Sequence, residues 1–198
     1  MRILFDKTKK KEVVIIEPGE YHTTDQDRII QTVLGSCVSV CLRDEKTGLA
    51  GMNHFMLPEA ANSESLIVSD AGRYGIQAME LLINELIIRG ADRTRLKAKV
   101  FGGGHVLNLG GNRGTIPRSN VDFALSFLTM ENIPILAKDL GGRKGRKILF
   151  FTSSGKVQVN ILGQTDLSNV EKREYSYKSR IGKPGKTGGF TLFDRRKS

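Results

Sequence analysis

Tryptophan is absent from this chain, cysteine occurs twice in 198 residues, and phenylalanine and tyrosine leave the aromatic share at 7%. Two cysteines exclude the disulfide framework that staples small secreted domains. Cys37 and Cys41 cannot even bridge each other. Four apart in one predicted strand, their Cα atoms stand about 13 Å apart at a rise of roughly 3.3 Å per residue, whereas a disulfide needs less than about 7 Å. No apolar run approaches the roughly 20 residues that cross a bilayer as a helix, so no transmembrane segment is expected. The start, MRILFDKTKKKEVVII, meets lysines at once and has no small-residue cleavage site, which argues against a secretory signal and for a cytoplasmic location. The sparse aromatics do not interleave with basic residues as base-stacking surfaces require, and no nucleic-acid partner is expected.

What is present suits a soluble globular protein: 39% hydrophobic and 26% charged residues, at a length that fits one domain. The net charge of +10 is concentrated. Lys138 to Lys147 carries five basic residues against Asp139, and Thr165 to Ser198 carries nine against four acidic ones. Such windows either meet an acidic partner or act as a solvated, solubilising face.

Along the chain, Glu12 to Ile16 and Ile29 to Leu34 read as strands. Asp70 to Arg89 places Ile76, Met79, Leu82, Ile83 and Leu86 on one helical face, with Ser69 or Asp70 as cap and Gly90 as stop. Ala98 to Phe101 is a strand running into Gly102-Gly-Gly104-His105, and Gly110-Gly111 follows. This loop matches neither the phosphate-loop pattern nor the dinucleotide fingerprint. Asn120 is a candidate N-cap for a second helix through Glu131. Ile135 to Ala137, Lys147 to Thr152 and Val157 to Leu162 are further strands. Beyond Gly163 the periodicity fades, so the expected division is a folded unit over residues 1–164 and a basic, mobile tail over 165–198. The fold class expected is α/β, a sandwich of mainly antiparallel sheet with covering helices.

The segment from Thr32 to Pro58 carries the chemistry. Cys37 to Arg43 and Leu49 to Leu57 are β-rich runs around the turn residues Asp44-Glu-Lys-Thr-Gly48, which reads as an antiparallel hairpin. A register centred between Glu45 and Lys46 sets Cys37 opposite His54 and Cys41 opposite Ala50, with facing Cβ atoms about 5 Å apart. A one-residue slip would send the pair to opposite faces. A cysteine beside a histidine loses its proton to give the thiolate that attacks electrophilic carbon. Backbone N–H groups of Gly35-Ser36-Cys37 could receive the resulting oxyanion, and Thr32 has a hydroxyl to hold the imidazole. Cys37, His54 and Thr32 thus form a possible triad for acyl transfer. Against this stands the ordinary reading of Cys37 as a buried apolar side chain. Cys41 reads as core, His22 and His105 as surface or loop residues, and a zinc site as short of ligands.

The run Leu34-Gly-Ser-Cys-Val-Ser-Val-Cys-Leu-Arg-Asp44, then Gly51-Met-Asn-His-Phe-Met-Leu-Pro58, resembles the CheD family of chemoreceptor glutamine deamidases. The resemblance extends through Val100-Phe-Gly-Gly-Gly104 and Ile135-Leu-Ala-Lys-Asp-Leu-Gly-Gly142 to Ser154-Gly-Lys-Val157, roughly residues 12 to 163. It implies an α/β sandwich enzyme without a cofactor that converts receptor glutamines to glutamates through a thioester and releases ammonia. Its nucleophile falls on Cys37, its histidine on His54 and its threonine on Thr32, although strict counting in some members lands on Gln31. His105 and the Ile116-Pro-Arg-Ser-Asn120 stretch depart from the usual pattern. The resemblance further implies methyl-accepting chemotaxis receptors as substrate and a CheC-type phosphatase as partner. Two other readings remain open: a non-enzymatic binding module for acidic partners, and esterase activity on receptor methyl esters at the same thiol.

Overall fold

Alternating burial along short β-branched runs generates two five-stranded sheets, while two amphipathic helices cover one of them. The structure, a computed structural model, describes residues 1–58, 67, 69–106 and 115–181. In chain order the strands are β1 (Arg2–Asp6), β2 (Lys11–Ile15), β3 (Tyr21–Thr24), β4 (Ile29–Leu34), β5 (Val38–Asp44), β6 (Ala50–Asn53), β7 (Leu96–Gly102), β8 (Ile135–Leu140), β9 (Arg146–Phe151) and β10 (Val157–Ile161). The helices are α1 (Asp70–Ile88), α2 (Thr115–Met130) and α3 (Gln164–Ile181). One sheet has the order β1-β2-β4-β9-β10 and the other β3-β6-β5-β7-β8. Among the described residues only the β2–β4 and β7–β8 pairings are parallel, so the expected α/β sandwich with mainly antiparallel pairing is what the chain forms.

Period-two alternation sorts the side chains into layers. On β5, Val38, Val40 and Leu42 face α1 and α2, where they meet Met79, Leu82, Leu86, Phe123 and Leu128. Cys37 and Cys41 lie on the other side, in a second core with Ile30 and Leu34 of β4, Ile148 and Phe150 of β9, and Met52 of β6. That second core is the seam between the sheets, and the candidate triad lies in it.

Three local expectations need correction. The hairpin turn is centred between Lys46 and Thr47, with Cys41 opposite Met52 and Val38 bridged to Phe55. Cys41 therefore does not face Ala50, and on the same register Cys37 falls opposite Met56. Helix α2 begins at Thr115 and not after Asn120. Pro117 sits in its first turn, where a missing N–H breaks no intrahelical bond. The tail is not structureless from residue 165, because α3 runs through Ile181. Residues 182–198 and the Gly110-Gly111 pair lie outside the described residues. Strands β1 and β3 were not legible in the sequence. All but one residue of β1 are exposed, so it carries no core-facing alternation, and β3 is only four residues long. Ser69, not Asp70, caps α1, its side chain accepting from the Gly72 N–H.

Candidate active site

Strand β4 presents Thr32 to the inter-sheet seam on the same side as Ile30 and Leu34, and Thr32 is buried. Gln31 points to the opposite face, so the position reached by strict counting has its side chain away from the seam. His54 follows β6 and is held by its backbone: its N–H donates to the Glu20 carbonyl at 2.9 Å, and its own carbonyl accepts from the Gly19 N–H at 2.7 Å. The Thr32 hydroxyl donates to the Ile16 carbonyl at 2.8 Å. With its single proton spent there, it must accept from Nδ1–H of His54, 2.7 Å away. The geometry thus fixes the tautomer. Nδ1 carries the proton, and Nε2 presents a lone pair that is buried and has no hydrogen-bond partner. Burial holds the imidazole neutral, its pKa pulled down to about 3.

Cys37 is fully buried at the turn into β5. Its thiol, a ring nitrogen of His54 and a carboxylate oxygen of Glu174 all lie within 4.8 Å of one another. The shifted register explains how the pair survives. Relative to the expected centring, the facing partner moves by two residues, so Cys37 and His54 become diagonal neighbours. An even shift leaves both on the same face. Burial, and after it the negative charge of Glu174, pushes the Cys37 thiol well above its ordinary pKa.

The turn before Cys37 is braced from three directions. Asn120, buried in α2, donates from its side chain to the Ser36 carbonyl at 2.8 Å and accepts from the Leu57 N–H at 2.8 Å. The glycine loop after β7 supplies two donors, Gly103 N–H to the Cys37 carbonyl at 2.8 Å and Gly104 N–H to the Gly35 carbonyl at 2.7 Å. Gly102 has φ +112°, and a Cβ there would stand 2.2 Å from the Cys37 carbonyl oxygen, so only glycine fits. These glycine amides are used to hold the nucleophile turn. His105, at the end of the loop, is exposed, and His22 lies on β3 opposite Met52.

The third direction is α3. The carboxylate of Glu174 accepts from Gly35 N–H at 2.8 Å and Cys37 N–H at 3.2 Å on Oε1, and from Ser36 N–H at 2.8 Å and the Ser36 hydroxyl at 2.6 Å on Oε2. The amides expected to receive an oxyanion are thus occupied by an anion from the same chain. Cys37, His54 and Glu174 are the one group of potential metal ligands found among the described residues. Each Glu174 oxygen already accepts two hydrogen bonds, which saturates the carboxylate with N–H and O–H donors instead of aiming it at a cation. Sequence reasoning missed Glu174. Its signal is the spacing of Leu167, Val170, Glu174, Tyr177 and Ile181, a three-four repeat with one acid on an otherwise apolar stripe.

The first basic window is also partly structural. Arg146 is buried and its guanidinium donates to Asp139 at 2.9 Å and to the Gly141 carbonyl at 2.8 Å, so it is not free to meet a partner.

Comparison with known proteins gives a consistent likeness. Residues 56–161 match the family model for CheD chemotactic sensory transduction. The chain is 43% identical over 189 residues to the probable chemoreceptor glutamine deamidase CheD of Laribacter hongkongensis, covering 96% of this chain and 91% of that protein. It is 44% identical over 191 residues to the protein of the same name from Janthinobacterium sp. and 46% identical over 192 residues to that of Methylobacillus flagellatus, in each case covering 96% of this chain and 94% of the relative. The family model starts beyond Cys37 and His54, so these full-length relatives carry the likeness across the site. They leave about eight residues of this chain unmatched, fewer than follow Ile181, so the likeness also spans α3. A solved structure, the Bacillus licheniformis hypothetical protein YfiH, is 14% identical with a TM-score of 0.35 over 60% of this chain and 49% of that one, too distant to bear on the fold. No helix among the described residues is long and apolar enough to cross a membrane.

Proposed function

The chain belongs to the CheD family, and from that premise we propose that it is a protein-glutamine deamidase acting on chemotaxis receptors through Cys37, His54 and Thr32. The observation that carries the mechanism is the Thr32 to His54 Nδ1 hydrogen bond, which leaves Nε2 unprotonated and without a hydrogen-bond partner, on a ring with a nitrogen within 4.8 Å of the thiol. In the resting site a neutral imidazole faces a neutral thiol. When a glutamine carboxamide enters, His54 Nε2 takes the thiol proton and Cys37 Sγ attacks the amide carbon. The carbonyl oxygen becomes an oxyanion held by the N–H groups of the Gly35-Ser36-Cys37 turn. Collapse breaks the C–N bond. The imidazolium returns its proton to the leaving nitrogen, ammonia departs and a thioester remains. Water, deprotonated by the same Nε2, attacks the thioester carbon, and the C–S bond breaks to release glutamate and restore the thiol. Thr32 is a positioning residue that keeps the ring oriented throughout.

A cytoplasmic location and a CheC-type partner complete this reading, supported by the family relationship. The test is peptide mass spectrometry of a receptor cytoplasmic fragment incubated with the wild-type protein and with Cys37→Ala. Conversion of specific glutamines to glutamate is expected with wild type alone. Conversion that persists in the folded Cys37→Ala protein would remove Cys37 from the mechanism. The same spectra separate deamidation from loss of receptor methyl esters, which is the outcome if the thiol acts on esters instead.

A further inference from the structure

Helix α3 lays a glutamate side chain into the nucleophile turn, and on the deamidase reading glutamate is what the reaction produces. We propose that α3 is a built-in product mimic: Glu174 occupies the seat of the deamidated side chain, and the docked helix holds the enzyme in an autoinhibited state until it is displaced. This inference rests on the proposed deamidase activity for the identity of the product, but the docking geometry stands independently of it.

Four donors converge on the Glu174 carboxylate, and three of them are the amides of Gly35, Ser36 and Cys37. A substrate carboxamide needs these amides for its carbonyl oxygen, so Glu174 and a substrate cannot both be bound. The rest of α3 is seated by few groups. Val170 and Tyr177 are buried, and the Tyr177 ring rests on Gly19, where a Cβ would stand 2.5 Å from its hydroxyl oxygen. That hydroxyl also meets the hydroxyl of Tyr74. At the rim Arg173 pairs with Glu17 at 3.2 Å. Leu167 lies over Gly145. Most other α3 side chains face solvent. A buried acid in the middle of a packing stripe contributes little to a helix on its own account. Here four donors of the nucleophile turn satisfy it, which ties the docking of α3 to the vacancy of the substrate seat. Removal of α3 also takes away the charge that helps keep the Cys37 thiol protonated.

The experiment uses the full chain and reads two things. The first is the rate at which iodoacetamide alkylates Cys37, followed by peptide mass spectrometry that separates Cys37 from Cys41. Wild type is expected to react slowly and Glu174→Ala at least about tenfold faster, since several charge-assisted hydrogen bonds to the docked helix are lost. Arg173→Glu breaks only the exposed rim pair and places two acids side by side, leaving the site itself untouched. It is expected to raise alkylation by about two- to fivefold, and it decides the matter if Glu174→Ala fails to fold. The second readout is receptor deamidation, which should rise in the same order. Unchanged or slower alkylation in folded Arg173→Glu and Glu174→Ala overturns the product-mimic proposal, even where wild type deamidates receptors. Faster alkylation in both variants with no deamidation by any of them supports the docked helix as a gate and sinks the deamidase reading instead.

Discussion

At Thr32 a single hydroxyl proton decides which nitrogen of His54 carries the ring proton. Because that proton goes to the Ile16 carbonyl, the oxygen has only lone pairs to offer Nδ1, and the imidazole is left with Nε2 as its basic nitrogen. Replacing Thr32 by Val preserves shape but removes the acceptor. We expect kcat for receptor deamidation to fall about ten- to a hundredfold, with Thr32→Ser restoring most of it, because general-base catalysis depends on ring orientation. Gln31→Ala serves as the control, since that side chain lies on the other face of β4. A loss as large at Gln31 as at Thr32 would contradict the assignment. Thr32 was legible in the sequence by residue type, and the face parity of β4 is what separates it from Gln31. The stripe that carries Glu174 can be read in the sequence, but the partner of its carboxylate cannot. Glu174 stands 138 positions from Ser36, and no local pattern links a helix acid to a distant turn.

At the scale of elements, three segments hold the nucleophile turn, and each supplies its hydrogen bonds from a different layer. Helix α2 was expected to start at Asn120. Instead it starts five residues earlier and uses Asn120 as a brace between Leu57 and Ser36. Asn120→Ala leaves the Leu57 N–H and the Ser36 carbonyl buried without partners, at a cost of about 2–4 kcal/mol in stability. Urea denaturation should show that loss, with deamidation falling as well because the turn is released. A stability change under about 0.5 kcal/mol, the usual range for a surface substitution, would show that the brace is dispensable. The glycine loop taught a related lesson. Its sequence matched no phosphate or dinucleotide motif, and its amides are presented to the carbonyls of Gly35 and Cys37. A glycine motif reports that backbone comes close to something, and only the fold says to what.

For the molecule as a whole, placing His54 in the seam between two sheets couples the site to stability. In the unfolded chain this imidazole takes up a proton near its ordinary value of 6.5, whereas the folded protein resists protonation until about 3. The unfolded state therefore binds more protons between those values. The contribution is fully present above about pH 6.5 and is lost as pH falls toward 3, on the order of 5 kcal/mol in total. Denaturant midpoints measured from about pH 7 to pH 4 should fall less steeply for His54→Asn than for wild type, and equal slopes would argue against a buried neutral imidazole. By itself the sequence determined the strand and helix periodicities, the α/β class and the shared face of Cys37 and His54. These are properties of period two and period 3.6 that survive a two-residue error in register. Tertiary structure alone decided that β4 of one sheet would bring Thr32 to a histidine carried by the other. It alone set α2 and the glycine loop against the back of the nucleophile turn, and closed α3 over the front. Such convergence depends on how layers pack across more than a hundred residues of chain, and a packing choice of that range leaves no repeat in the sequence to read.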